Sequence, residues 1–568
     1  MWIPRVFRVL SCLGLLQIAG LDLLPSADAG SATWKTTPLS GLWGDSNNWT
    51  PATVPSTTAD IATFGSSGTT GISGAGNLSG MIFQAGASAY TVTFTTPLAF
   101  DMAGAGVTNN SGILQTFVVP TPPPPGDGNE NILSFRNSAT AGTLTQYTVS
   151  ASFDDQTNGA EVDFYDNSTA GSSAINVNAG YGTGGGGGNV FFADSASAGS
   201  AVFTNNGGPL DTGFSEAHIS FTGSSTAASA TFTNNGGTFS GGSLGGLITF
   251  YDQASADAAT IVNNGGTVAG AVGAVTLFDG TARAVNATLI ANSGVGLPGT
   301  IVFSTSATGD SAVVKLFGGS LDISGHDSSG MAFGSLEGDG SVYLGSRRLT
   351  VGRNRVNTTF SGLIQDGGIS GGTAGSFAKV GLGSLVLTHA NTYTGDTSVN
   401  GGTLTVSNAS GSGTGTGPVQ VNAGLLGGKG TIAGSVNVGA DTPDRPHLAP
   451  ASGGSTPATL TIQGSLTFQS SGGYNWSVRA KGRRTTSDSV KANGVTIITG
   501  ATFTVLPQLQ GALQTGTVFT VISNTSASAI SGTFSNLADG AIVNVSGNNL
   551  QASYSGGSGN DLTLTVVP

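Results

Sequence analysis

The sequence predicts an all-β chain wound as a parallel β-helix (a β-solenoid), with about 28–29 residues per coil in its central array. Three observations predict it. Asn-Asn-Gly-Gly recurs inside residues 203–208, 232–237 and 261–266, three stretches that begin 29 residues apart. An aromatic residue closing an apolar run recurs at Phe135, Phe164, Phe192, Phe221, Phe250, Phe278 and Phe303, at steps of 29, 28, 29, 29, 28 and 25. The 568 residues include 93 glycines and only 8% charged residues, with short Val, Ile, Thr and Phe runs between turn residues. Glycine and β-branched residues are poor helix formers, so long helices are not expected. A unit of this size cannot bury its own apolar face; the neighbouring units must cover it.

Residues 1–29 have the pattern of a secretion signal. Arg5 and Arg8 are the basic start, 9–21 the apolar run, and Ala27-Asp28-Ala29 a small-residue cleavage site. Cys12, the only cysteine, lies in that segment. The mature chain is therefore expected to have no disulfide, no thiolate metal site and no thiol nucleophile. No second apolar run is long enough to span a membrane as a helix. The formal net charge of −12 argues against nucleic acid as a partner, since phosphate binding needs a basic surface.

Residues 30–130 hold Trp34, Trp43 and Trp49, three of the five tryptophans. They are candidates for a sugar-stacking platform, weighed against an aromatic cap that closes the open end of a solenoid. The prolines of 122–125 cannot donate ladder hydrogen bonds and read as a loop or linker.

Residues 131–325 are the regular array. Each unit carries an aromatic strand, a small-residue stretch such as 195–198, a second strand such as 201–204, and the Asn-Gly corner. Asn205, Asn206 and Gly207 repeat as Asn234, Asn235 and Gly236, then as Asn263, Asn264 and Gly265. Glycine there is expected to supply positive φ, and the asparagines to stack into hydrogen-bonded ladders between rungs. The phenylalanines are expected to stack inside the coil.

Residues 326–408 change register. Lys379-x-Gly381-x-Gly383-x-Leu385-x-Leu387 leads to Asn391-Thr392-Tyr393-Thr394-Gly395 and then to Gly402-Thr403-Leu404-x-Val406. This segment resembles the autotransporter-associated β-strand repeat, closely over 377–406 and well over 333–406. The resemblance implies a passenger-type β-helix of secreted bacterial surface proteins. Residues 409–568 read as a continuation of the solenoid. They are expected not to hold the family's membrane barrel, because 160 glycine-rich residues are too few for about a dozen ten-residue strands.

The candidate chemistry is sparse. His218, His326, His389 and His447 are scattered and read as surface or turn residues. Asp154, Asp155, Glu161, Asp163 and Asp166 are the densest acidic stretch, where calcium is conceivable and Arg136 stands one coil back, but a solvated face is the simpler reading. The Gly-rich run 556–561 reads as a turn before the last strand. Two basic groups, Arg347 with Arg348, Arg353 and Arg355, and Arg479 with Lys481, Arg483 and Arg484, suit either anionic polysaccharide or projecting loops.

The sequence thus predicts a secreted or cell-surface, adhesin-like structural protein. Its expected partners are extracellular polysaccharide or cell-surface components, with no catalytic residue, cofactor or metal. A polysaccharide lyase or hydrolase on the same fold, and carbohydrate binding through the tryptophans, are the alternatives.

Overall fold

The computed structural model describes residues 30–568, apart from 96–98, 122–130, 154–158, 182–184, 210–215, 328–329, 441–443, 452–456, 482–483 and 510–511. The signal segment, the 122–125 prolines, Asp154 and Asp155 lie outside the described residues. One 3-10 turn, Ser46–Asn48, is the only helical element among them; the rest is strand and turn.

Each coil of the array has three sides. The first is the aromatic strand: Ile132–Phe135, Glu161–Phe164, Asn189–Phe192, His218–Phe221, Leu247–Phe250, Val275–Phe278 and Thr300–Phe303 pair in sequence, parallel and in register. The second is the strand ending in the first asparagine, such as Val202–Asn205, Thr231–Asn234 and Thr260–Asn263, again parallel. The third is one bridge wide, running Thr140, Thr169, Ser197, Thr226, Ser255, Arg283, Thr308. Small residues beside it, including Ala196 and Ala198, are fully buried, so this narrow side closes tightly on the core.

Exact register makes the core a column of repeated contacts. The rings of Phe135, Phe164, Phe192, Phe221, Phe250, Phe278 and Phe303 stack 4.6 to 4.9 Å apart and within 7° of parallel. That spacing is the rung separation of a parallel sheet, roughly 4.8 Å. Phe203 and Phe232 form a second stack at 4.6 Å that meets the first edge-on.

The asparagines form two ladders. Inside the core, Nδ2 of Asn205 donates to Oδ1 of Asn234 (2.8 Å), and Nδ2 of Asn234 to Oδ1 of Asn263 (2.9 Å). On the outside, Nδ2 of Asn235 donates to Oδ1 of Asn206 (3.2 Å), Asn264 to Asn235 (3.0 Å), and Asn292 to Asn264 (2.9 Å). The inner ladder donates towards the C-terminal coils and the outer one towards the N-terminal coils, so their side-chain dipoles oppose.

The glycine of each corner serves a purpose other than the one expected. Gly207, Gly236 and Gly265 are not in the left-handed region. A Cβ on Gly207 would enter the carbonyl of Gly236, and one on Gly236 the carbonyl of Gly265. Close approach of successive backbones, rather than positive φ, excludes a side chain here.

Positive φ sits instead at the other two corners. Two residues past each core phenylalanine stand Asn137 (φ 56°), Asp166 (57°), Asp194 (53°), Gly223 (64°), Asp252 (54°), Gly280 (67°) and Thr305 (49°). Their side chains knit neighbouring coils: Oδ2 of Asp166 accepts from the backbone N–H of Asn137 (2.8 Å), and Oδ2 of Asp194 from that of Asp166 (3.1 Å). Two residues past the third-side bridge stand Gly142, Gly171, Gly199, Ala228, Asp257, Val285 and Asp310, all at positive φ. A left-handed backbone costs an L-residue about 1–2 kcal/mol, most for a β-branched one. Val285→Gly is therefore expected to stabilise the chain by about 1 kcal/mol, after the greater freedom of glycine in the unfolded state is subtracted. The urea midpoint of the two proteins checks this.

The ends depart from the coil. At the N-terminus Ala32–Trp34 pairs antiparallel with the two-residue strand Trp49–Thr50, which blunts the exposed sheet edge. At the C-terminus the expected continuation of the solenoid holds only in part. Thr431–Ile432, Thr459–Ile462, Ser489–Ala492 and Val518–Asn524 stack in parallel. Asp561–Val567, Asn548–Gly556 and Ile542–Val545 then add as antiparallel strands. Short hairpin links allow antiparallel pairing where a full coil is too long. The run 556–561 is the turn between two of these strands, as read from the sequence.

Candidate functional site

The tryptophans are not a sugar platform. Trp34, Trp43 and Trp49 are 2%, 2% and 0% exposed. Trp49 lies edge-on to Trp34 (5.0 Å) and to Trp43 (4.8 Å), and the group runs on into Phe64 and Phe83. Each indole N–H donates to a backbone carbonyl: Trp34 to Thr69, Trp43 to Pro55 and Trp49 to Trp43. Stacking a sugar needs an exposed ring face, and these faces are spent on closing the end of the core.

The acidic stretch is dispersed. Glu161 and Asp163 share the outer side of one strand, but Asp163 is buried and accepts from the hydroxyl of Tyr165 (3.0 Å). Asp166 belongs to the corner ladder described above. Arg136 pairs with Asp101 (2.7 Å) and lies over the Tyr165 ring at 4.6 Å. Among the described residues no three His, Cys, Asp or Glu side chains are placed to hold a metal ion.

Of the histidines expected at the surface, His326 is inside and His218 is half-buried on the outward side of its strand. His326 is 4% exposed and its Nε2 contacts the carbonyl of Ala307 at 2.8 Å. His218 has Nε2 2.9 Å from Oγ1 of Thr249, which donates on to Ser220. Burial pushes the His218 pKa down to about 4. The unfolded chain takes that proton near pH 6.5 and the folded chain only near 4, so this part of the stability is complete above 6.5 and is lost as pH falls through that window. The next coil carries Leu247 at the same register position. His218→Leu is expected to flatten the stability loss between pH 6.5 and 4 in thermal melts.

The family-like motif at 377–406 is architectural. Lys379 is 1% exposed and its Nζ donates to the carbonyls of Val380 (2.7 Å), Gly381 (3.2 Å) and Gly401 (3.3 Å). Burial lowers its pKa to about 8. Gly381 and Gly402 have φ of 67° and 63°, and Gly383 and Gly395 leave no room for a Cβ against the preceding coil. Leu385 and Leu387 pair with Leu404 and Val406, and Thr403 with Ser384, in parallel register. Oδ1 of Asn391 accepts from the N–H of Ile364 (2.8 Å), and its Nδ2 donates to the carbonyl of Gly413 (2.7 Å). Thr392 extends this link by donating its N–H to Ile364 (3.0 Å). Tyr393 is buried with its hydroxyl 2.6 Å from Oγ1 of Thr397, and Thr394 donates to Oδ2 of Asp366 (2.6 Å). Each motif residue thus fills a core slot, a tight corner or a tie between coils.

The feature that suits a ligand lies just before this motif. Here the coil shortens: Ser320 pairs with Ser341 and Ser341 with Leu363, steps of 21 and 22 residues. The third side changes character at the same place. Its run of single bridges reaches Thr308, and a true strand ladder begins with Gly330–Phe333 against Arg348–Val351. The change opens a cleft of about 630 Å3 between Ser306–Asp310 on one side and Met331, Arg348, Arg353 and Ser376 on the other. Arg348 reaches Ser376 with Nε (3.2 Å) and Asp396 with Nη2 (3.0 Å). Asp310 accepts from Arg283 (3.0 Å) and Thr308 (3.1 Å). Arg353 is exposed and is in none of the ion pairs of the described residues. The cleft therefore offers the Arg353 guanidinium and hydroxyl groups, while Arg348 and Asp310 are already engaged with Asp396 and Arg283. Of the basic group read from the sequence, Arg348 and Arg353 meet here; Arg347 and Arg355 do not line it. Asp310 and His326 come from far along the chain, and no local spacing marks them.

Among the described residues no helix is long and apolar enough to cross a membrane. Residues 377–406 match the family model of the passenger-associated transport repeat. No curated protein matches the chain. This repeat, on a stack of parallel coils, is that of secreted or cell-surface proteins. The chain accordingly carries a passenger-associated transport repeat at residues 377–406, set in a stack of parallel coils.

Proposed function

We propose that the chain is a secreted, adhesin-like β-solenoid that binds anionic extracellular polysaccharide or cell-surface polymer without cleaving it. The cleft at the junction of the two coil types carries this reading. The planar guanidinium of Arg353 suits carboxylate, sulfate or phosphate, and the hydroxyls of Thr308, Thr350 and Ser376 suit sugar hydroxyls. His326 is turned to a backbone carbonyl and Asp310 to an arginine, so neither is presented as a base. Export follows from the signal pattern of residues 1–29.

The test is retention of residues 30–568 on immobilised acidic polysaccharides, alginate and lipopolysaccharide among them. Binding should weaken with added salt, and Arg353→Ala should weaken it by about tenfold, the loss of one charge-assisted contact. Equal retention of the variant on every acidic polymer would remove the cleft from the account.

A further inference from the structure

The outward side of the second sheet is a surface of another kind. Along eight consecutive coils, from Thr91–Thr93 to Thr288–Asn292, its outward positions hold Thr, Ser, Val, Ile, Leu, Ala, Asn and Gln and no charged residue. One column runs Thr231, Thr260, Thr288 and the next Thr204, Thr233, Val262, Ile290. The outer asparagine ladder of Asn206, Asn235, Asn264 and Asn292 borders them. All are accessible or half-accessible. The first charges appear at the far end, where Lys315 pairs with Glu337 at 2.7 Å. The first sheet differs: Asp101, Arg136 and Glu161 stand on its outer side.

We propose that this face binds an uncharged, extended polysaccharide lying along the rod axis, at a site separate from the arginine cleft. Charge selects the occupant. An anionic polymer laid here would lose hydration with no cation to replace it, whereas a neutral one would not. Thr hydroxyls and Asn amides both donate and accept, as sugar hydroxyls do. Each Asn amide has two N–H groups and two acceptor positions, and the ladder links of Asn235 and Asn264 take one of each. Thr, Val and Ile methyls lie between them to cover sugar C–H surface. These groups repeat at roughly 4.8 Å along the axis and roughly 6.7 Å along each strand, over roughly 35 Å. A single contact on so shallow a face is weak; repetition along one polymer adds them up. The sheet is held by its own ladder, so little is lost in ordering it.

The experiment is co-sedimentation of residues 30–568 with particles of an insoluble, uncharged β-glucan, with alginate beads alongside. The wild-type chain should pellet with the glucan, and added salt should not release it. Thr204→Lys with Thr233→Lys should weaken glucan binding by about tenfold or more through the buried charge. Thr204→Val with Thr233→Val, which keeps size and fold, should weaken it by a few-fold. Arg353→Ala should leave glucan binding unchanged, so failure of the cleft reading and failure of this one are separate results. Three outcomes overturn the proposal: no pelleting of the wild-type chain, equal pelleting of the folded lysine variant, or a self-association lost in that variant with no binding of glucan.

Discussion

Gly236→Val is expected to destabilise the central coils by about 3 kcal/mol or more. The corner glycines stack directly, Gly207 on Gly236 on Gly265, and a Cβ at 236 meets the Gly265 carbonyl and the next peptide nitrogen. The obstacle is backbone, so no rotamer relieves it. Coils would have to separate, which breaks the ladders between Asn234 and Asn263 and between Asn235 and Asn264. Stability in a stack is close to a sum of neighbour terms, so the loss is concentrated there and divides the array. Hydrogen exchange should show lost protection across 231–264 while the N-terminal coils keep theirs. Because the Cβ itself meets the backbone of Gly265, Gly236→Ala should also be costly, although φ is not in the left-handed region. A loss under about 0.5 kcal/mol for the valine variant would show that the corner has room the packing denies.

Phe221→Ala is expected to cost about 4 kcal/mol. Its ring is fully buried between Phe192 at 4.6 Å and Phe250 at 4.7 Å, and edge-on to Phe232 at 5.9 Å. In-register coils cannot slide to fill the void, because each is tied to its neighbours by the asparagine ladders and the corner side chains. Phe221→Leu, which refills most of the volume, should recover most of the loss. Equilibrium urea unfolding of the three proteins measures both effects.

The coil was legible because its strongest signals are side chains that repeat in register. Phe stacks and Asn ladders recur at fixed spacing, and both appear where the 28–29-residue period places them. The third side was not legible as a strand. A bridge one residue wide, from Thr140 to Thr308, leaves no apolar run, and its corner accepts Gly, Ala, Asp and Val alike. The reason for Gly236 was misread, since a sequence shows that glycine is required but not whether φ or clearance requires it. Trp34, Trp43 and Trp49 were legible as a cluster, but only burial separates a cap from a platform. The cleft was partly visible in the basic group at 347–355. The rest of it arises from a change in coil length that sets Asp310 beside Arg348 and Arg353. The antiparallel end at 542–567 was missed because its short strands read like those of a coil.

The most direct test of the account incubates residues 30–568 with a soluble acidic polysaccharide and follows both the bound fraction and the polymer's size and chain ends. The account predicts salt-sensitive binding that falls in Arg353→Ala, with polymer length unchanged and no new reducing or unsaturated ends. Shortening of the polymer by the wild-type chain would contradict it and make the cleft an active site.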